Sequence, residues 1–299
     1  MKIFSISDIE ILTGIKAHTI RVWEQRYDFF TSRRTESNIR YYDEEDLRLF
    51  LNIAALNENG YKISAISKMT TQQITQMVTK LRKDHFNPNL QVQLFANAIL
   101  TMNNVEMENL LSLSIKERGI ENTIEEIVLP LLDKIGFMWQ TGTINTTHEH
   151  FATHHISNRI TIATHNLKTA GSAKGKNYLL FLPEGEFHEI GLLYAKYLLK
   201  LNGHHAVYLG ANTPIADLAE AVSIYKPDYA LTVITQVRAN CDVNEIINKT
   251  LKNIKITPLI FLSLPVLKQN ITANRDLIFM DNFAEFKKLI GFKLIFPSS

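Results

Sequence analysis

Residues 177–203 read NYLLFLPEGEFHEIGLLYAKYLLKLNG, and this stretch sets the architecture of the last third of the chain. An apolar run ends at Pro183, a short polar loop follows, and from Glu189 apolar residues recur at helical spacing until Gly203. Downstream the same alternation continues through HAVYLG, PIADLAEAVSIYK, YALTVIT, VNEIINKTLKN, PLIFLS, LIFMD and NFAEFKKLIG. Apolar strands separated by amphipathic helices predict a doubly wound parallel sheet over 176–299. Ligands of such sheets bind outside the carboxyl ends of the strands, which makes the loop PEGEFHEIG at 183–191 the candidate site. It contains neither G-x-G-x-x-G nor G-x-x-x-x-G-K-[ST], which excludes a dinucleotide fingerprint and a P-loop. It offers Glu186 and His188, two apart, with Gly191 three beyond. A neutral imidazole oriented by a nearby carboxylate is a good monodentate metal ligand.

Upstream, LQVQLFANAIL, VEMENLLSLSIKER, TIEEIVLPLLDKIGFMWQ and THEHFATHHISNRITIATHNL carry apolar residues at three and four spacing. They predict an up-and-down four-helix bundle over 88–170. The last helix opens with a cluster of titratable groups: His148, Glu149, His150, His154 and His155. One reading is a solvated helix face with some hydrogen-bonded histidines. A second is a zinc site from His150 and His154, which at i and i+4 share a face. HEHFATHH is not H-E-x-x-H, so the spacing of a zinc protease is absent. A third reading depends on the loop at His188.

At the N-terminus, Ser7 and Asp8 are expected to open a short amphipathic helix with Ile9, Ile11 and Leu12, halting at Thr13-Gly14. A second helix begins at about Lys16; Ile20 and Trp23 share its apolar face while Lys16, His18, Thr19 and Arg21 lie early in it. Polar groups at the start of a helix that is anchored by its apolar face suit a major groove. In the following segment Arg33, Arg34 and Arg40 flank a turn at Glu36-Ser37-Asn38, ahead of Tyr41-Tyr42 and a helix start at Asp43. The pattern predicts a winged helix-turn-helix over 1–72 with arginines on DNA phosphates. A protein-interaction surface is the alternative reading of the same spacing.

The 299 residues suit two or three domains, and 45% hydrophobic with 21% charged residues excludes a disordered or collagen-like chain. A formal charge of +2 means that DNA binding must come from local arrangement and not bulk charge. The single cysteine, Cys241, excludes an intramolecular disulfide and a cysteine metal cluster. No signal peptide or membrane-spanning run is read, so the expected location is cytoplasmic. Joints are expected at KDHFNPN (83–89) and TAGSAKGK (169–176).

The strings TGIKAHTIRVWEQRYDFF and RRTESNIRYYDEEDLRLF resemble the winged helix-turn-helix of MerR-type transcription regulators over roughly residues 1–70. EGEFHEIG followed by YLGANTP resembles the cobalamin-binding domain family, whose D/E-x-H-x-x-G histidine is the lower ligand of cobalt. Nine residues separate Trp139 from Glu149-His150, which matches the W-x9-E-H pattern of the CarH/LitR photoreceptor family. The resemblance implies a cobalamin-controlled regulator, a repressor, acting on an operator as a homodimer or higher homo-oligomer, with no enzymatic activity and no membrane partner. It gives His188 the lower cobalt position with Glu186 as its neighbour, and Gly191 and Thr232 further places at the cofactor. Trp139 and Glu149 would pack around the adenosyl group of adenosylcobalamin. Light would break the cobalt–carbon bond, and His150 would take the vacated upper position.

The chain departs from that family at the pocket for the cofactor's nucleotide tail. Thr232 and Ile234 stand where serine and leucine are usual, and Ser263-Leu264 replaces a glycine pair, with no glycine between Gly210 and Gly291. Leu264 would fill the slot for the tail. The departure implies weak binding, a cofactor with another tail, or a fold retained without cofactor as an interaction module. A corrinoid carrier for a methyltransferase would also use the loop and the bundle, but not the DNA reader.

Overall fold

The computed structural model describes residues 3–27, 32–36, 38–84, 87–167, 175–235, 242–255, 257–263, 271–272 and 274–291. Cys241, Leu264, Ser37 of the wing turn and most of TAGSAKGK lie outside them. The chain divides into two compact units, Met1–Ile156 and Ser157–Ser299.

In the first unit, helix α1 (Ile6–Thr13) starts one residue before the expected opening at Ser7-Asp8. The reason is a reciprocal cap: the Asp8 amide donates to Ser5 Oγ at 3.2 Å and the Ser5 amide to Asp8 Oδ2 at 2.7 Å. Asp8 is therefore the third residue of the helix and not its opening. Gly14 adopts a left-handed φ of 76°, its amide donates to the Glu10 carbonyl, and the chain turns into helix α2 (Ala17–Arg26). Strands β1 (Arg33–Arg34) and β2 (Arg40–Tyr41) pair antiparallel as the wing. Asp43 then caps helix α3 (Glu44–Glu58) by accepting from the amides of Glu45 and Asp46, and Glu44, Glu45 and Asp46 complement the helix dipole. Ile9, Leu12, Ile20, Trp23, Leu47 and Phe50 are buried and form the core, whereas Ile11, grouped with Ile9 and Leu12 from the sequence, is 49% exposed.

Helices α4 (Ile63–Ile66) and α5 (Thr71–Asp84) precede the bundle. Helix α6 (Pro88–Leu100) opens on an Asn87 cap with proline at its first position, where a missing N–H costs nothing. Helix α7 (Asn104–Thr123) is kinked at Gly119 (φ 80°, ψ 167°), and a π-helical turn, Ile124–Val128, leads directly into helix α8 (Leu129–Gln140). The gap in the periodicity after Arg118 is thus a kink and not a loop. Helix α9 (Thr146–Asn166) follows, and the division between the two units falls within it.

The second unit alternates strand and helix: β3 (Asn177–Pro183), α10 (Ile190–Leu201), β4 (His205–Thr213), α11 (Leu218–Tyr225), β5 (Tyr229–Ile234), α12 (Val243–Ile254), β6 (Leu259–Ser263), β7 (Leu277–Met280) and α13 (Phe283–Leu289). All pairings are parallel, in the order β4-β3-β5-β6-β7. The order reverses between β3 and β5, which is where open sheets of this kind place their ligands. One face of the sheet carries Phe181, Ala230, Ile234 and Phe261 against Leu218 and Ile247.

Candidate functional site

The loop between β3 and α10 is built around Glu186, whose side chain is 7% exposed against 38% for that of His188. Glu186 Oε1 accepts from His188 Nδ1 at 2.5 Å and from the amides of Phe187 and His188 at 2.9 Å each. Burial pushes the Glu186 carboxyl up, but the His188 ring, the His188 amide and the Thr235 amide at the end of β5 outweigh it and hold the group below the usual range. On the other flank, the Asn212 amide donates to the Glu186 carbonyl at 3.0 Å and the Gly185 amide to Asn212 Oδ1 at 2.8 Å. The loop is therefore tied to strand ends on both sides of β3. A histidine whose Nδ1 is held by a carboxylate ligates through Nε2, and the donor set suits a single axial ligand to cobalt.

Gly191, in the first turn of α10, explains the last position of E-x-H-x-x-G. A Cβ there would lie 2.8 Å from Val233 Cγ1 on β5, so only glycine lets the helix start approach the sheet. Thr232 is buried, and its Oγ1 has no hydrogen-bond partner among the described residues. An orphaned buried hydroxyl near the sheet's carboxyl edge fits a polar ligand group better than a closed apolar core. Thr235 and Asn212 had no role on sequence grounds. Asn212 stands in the left-handed region at φ 52°, beside Gly210 at φ 88°, where β4 slips register against β3.

In the first unit, Trp139 lies in the last turn of α8, with Glu149 and His150 in the first turns of α9. The short connection 141–145 brings these positions to one end of the bundle, where Asn145 Oδ1 accepts from the Thr147 and His148 amides at the start of α9. Trp139 is 54% exposed. It is therefore not a core residue of the bundle. Glu149 is half-buried and His150 exposed, whereas His155 is buried with Nδ1 2.6 Å from Glu108 Oε1 on α7. His155 is thus a hydrogen-bonded core histidine. Among the described residues no group of three or more His, Cys, Asp or Glu could hold a metal ion, so His150 and His154 gain no third ligand for zinc.

At the DNA reader, Lys16, His18 and Arg21 are exposed and Thr19 is half-buried along the start of α2. Lys16 Nζ lies 3.1 Å from Glu10 Oε1. In the wing, Arg33 pairs with Asp43 and lies 3.6 Å from Asp46, and Arg34 donates to Asn38 Oδ1 at 2.7 Å across the turn. Arg40 Nε lies 3.3 Å from Glu24 Oε2 on α2, and Tyr41 is half-buried on β2. Glu24 was not singled out by the sequence reading. Its position four residues after Ile20, on the apolar stripe, is the signal that would have found it.

Residues 4–73 match the MerR HTH family regulatory protein family, and residues 91–164 match the B12 binding domain. The chain carries a MerR helix-turn-helix module and a B12-binding module. It is homologous to two repressors of Myxococcus xanthus. With the HTH-type transcriptional repressor CarH it shares 26% identity over 224 residues, 73% of this chain and 74% of that one. With the HTH-type transcriptional repressor CarA it shares 28% over 236 residues, 78% and 77% of the two chains. In fold it resembles the Methanosarcina barkeri monomethylamine corrinoid protein, at 19% identity and a TM-score of 0.50, over 72% of this chain and 97% of that one. Among the described residues no helix is long and apolar enough to cross a membrane.

Proposed function

We propose that this chain is a transcription repressor whose hold on an operator is set by adenosylcobalamin and released by light. The coarser statement, a DNA-binding regulator controlled by cobalamin, rests on the two modules and the homology to two repressors. The observation that supports cobalamin at this loop is the His188–Glu186 pair, an exposed imidazole held by a buried carboxylate at the reversal point of a parallel sheet, while the adenosyl form and light follow from the resemblance at Trp139, Glu149 and His150.

When bound, adenosylcobalamin supplies a cobalt–carbon bond that light breaks. Glu186 fixes the ring of His188 so that Nε2 would ligate the metal, Gly191 lets α10 start close against β5, and the Thr232 hydroxyl would meet a polar group of the cofactor. Trp139 and Glu149 would hold the adenosyl group, and His150 would be the imidazole available to take its place. Lys16, His18, Thr19 and Arg21 read the major groove, while Arg33, Arg34, Arg40 and Tyr41 carry the wing onto phosphates. In this reading 1–72, 88–170 and 176–299 act as reader, cap and cofactor domain, and the chain binds DNA as a homo-oligomer without catalysing a reaction.

The test is the visible spectrum of the protein mixed in the dark with adenosylcobalamin and desalted, before and after green light. Retained corrinoid with a light-driven change is expected, and His188→Ala should alter the spectrum. A protein that retains no corrinoid would move control to a protein partner or another ligand.

A further inference from the structure

The recognition helix carries a carboxylate on its buried side that faces the wing. The side chain of Glu24, on α2, is only 9% exposed, and both of its oxygens have work in this corner of the molecule. Oε1 accepts from the Tyr42 hydroxyl at 2.8 Å, and Oε2 lies 3.3 Å from Arg40 Nε. Tyr42 is itself immobile: it is 1% exposed, its backbone bridges to Phe4, and its ring packs edge-on against Phe50 at 5.3 Å. Burial, and then the Glu24 carboxylate, push the Tyr42 hydroxyl up, so it stays a donor and holds Glu24 in place.

Arg40 differs from the other arginines of the wing. Arg33 pairs with Asp43 and lies near Asp46 on the wing's own flank, and Arg34 donates across the turn to Asn38, whereas Arg40 is tied to the recognition helix. The Nε of Arg40 is fully buried against Glu24, yet its side chain is 33% exposed, so the exposure belongs to its other atoms. A guanidinium is a rigid planar fork, and fixing Nε fixes the direction of the Nη donors. Glu24 Oε2 and Arg40 Nε sit at ion-pair distance without forming an aligned hydrogen bond, although both atoms are buried. Such a buried charge pair is weak evidence for stability, because the cost of desolvating both ions offsets their attraction.

We propose that Glu24 is a positioning residue for DNA binding: from the recognition helix it locks the wing and aims Arg40 at a DNA phosphate. The inference rests on the DNA-binding reading above. It also reverses a simple expectation, because removing an acid near the DNA interface should strengthen binding through charge alone.

The test begins by selecting bound duplexes from a pool of short randomised DNA with the wild-type chain, and then measures affinity for the selected duplex across a salt series. Glu24→Gln, which keeps an acceptor for Tyr42, is expected to bind about tenfold more weakly although it removes a negative charge, with the salt slope reduced by about one. Arg40→Gln should lose as much, and the double variant no more than Arg40→Gln alone. Arg40→Lys, which keeps the charge on a partly exposed side chain and cannot be aimed through Nε, should lose nearly as much as Arg40→Gln and answers the question if Glu24→Gln fails to fold. Unchanged or tighter binding by Glu24→Gln, additive losses in the double variant, or full activity of Arg40→Lys would each overturn the proposal while leaving the DNA-binding reading intact. A wild-type chain that enriches no duplex overturns both.

Discussion

Each position of E-x-H-x-x-G has its own physical task here: Glu186 holds Nδ1, His188 presents the imidazole, and Gly191 lets α10 approach β5. These tasks separate experimentally. Gly191→Ala drives a methyl to within 2.8 Å of Val233 Cγ1 and should destabilise the fold by about 1–3 kcal/mol, read from the midpoint of urea denaturation. Glu186→Gln replaces the charged acceptor with an amide and should lower corrinoid affinity about 10–100-fold in equilibrium titration with little loss of stability. Stability and affinity falling together in both variants would mean that the loop is structural scaffolding and not a ligand site. The sequence made His188, Glu186 and Gly191 legible because their roles depend on spacing within one turn of chain. Glu24, Asn212 and Thr235 escaped because their partners are far along the chain or are backbone amides, which local spacing does not encode.

Between elements, a buried lysine joins three parts of the first unit. Lys134 on α8 donates to the carbonyl of Leu12 near the end of α1 and faces Glu58 on α3, which accepts from Gln93 on α6 at 3.1 Å. Burial pushes the Lys134 ammonium down to about 8, only partly offset by Glu58, and burial pushes the Glu58 carboxyl up. Between pH 8 and the ordinary lysine range the unfolded chain binds a proton that the folded chain does not, so stability rises with pH there. The rise should be about 3 kcal/mol in chemical denaturation and absent in Lys134→Met; a flat wild-type profile would refute the buried cation. The helices themselves were legible from three and four spacing. Their edges were not, because Ser5 rather than Ser7 completes the cap of α1 and Gly119 bends α7 where the pattern suggested a break. Alternation of strand and helix implied the parallel sheet, but its order β4-β3-β5-β6-β7 depends on long-range pairing that composition does not fix.

For the whole molecule, control of DNA by a cofactor is a matter of linkage. A ligand shifts an equilibrium only to the extent that it binds one state more tightly, and the effect is reciprocal. If His188 holds the cofactor in the DNA-binding state, adenosylcobalamin must tighten DNA binding and DNA must tighten adenosylcobalamin. Charge alone supplies no such control, since the chain is near neutral at +2. The most direct measurement is the dissociation constant for a duplex selected by the chain, taken in the dark with and without adenosylcobalamin, for wild type and His188→Ala. The cofactor should tighten wild-type binding by about tenfold or more, green light should remove the gain, and His188→Ala should show neither effect. Equal dissociation constants with and without adenosylcobalamin, in a wild-type protein that binds the duplex, would contradict control by the cofactor.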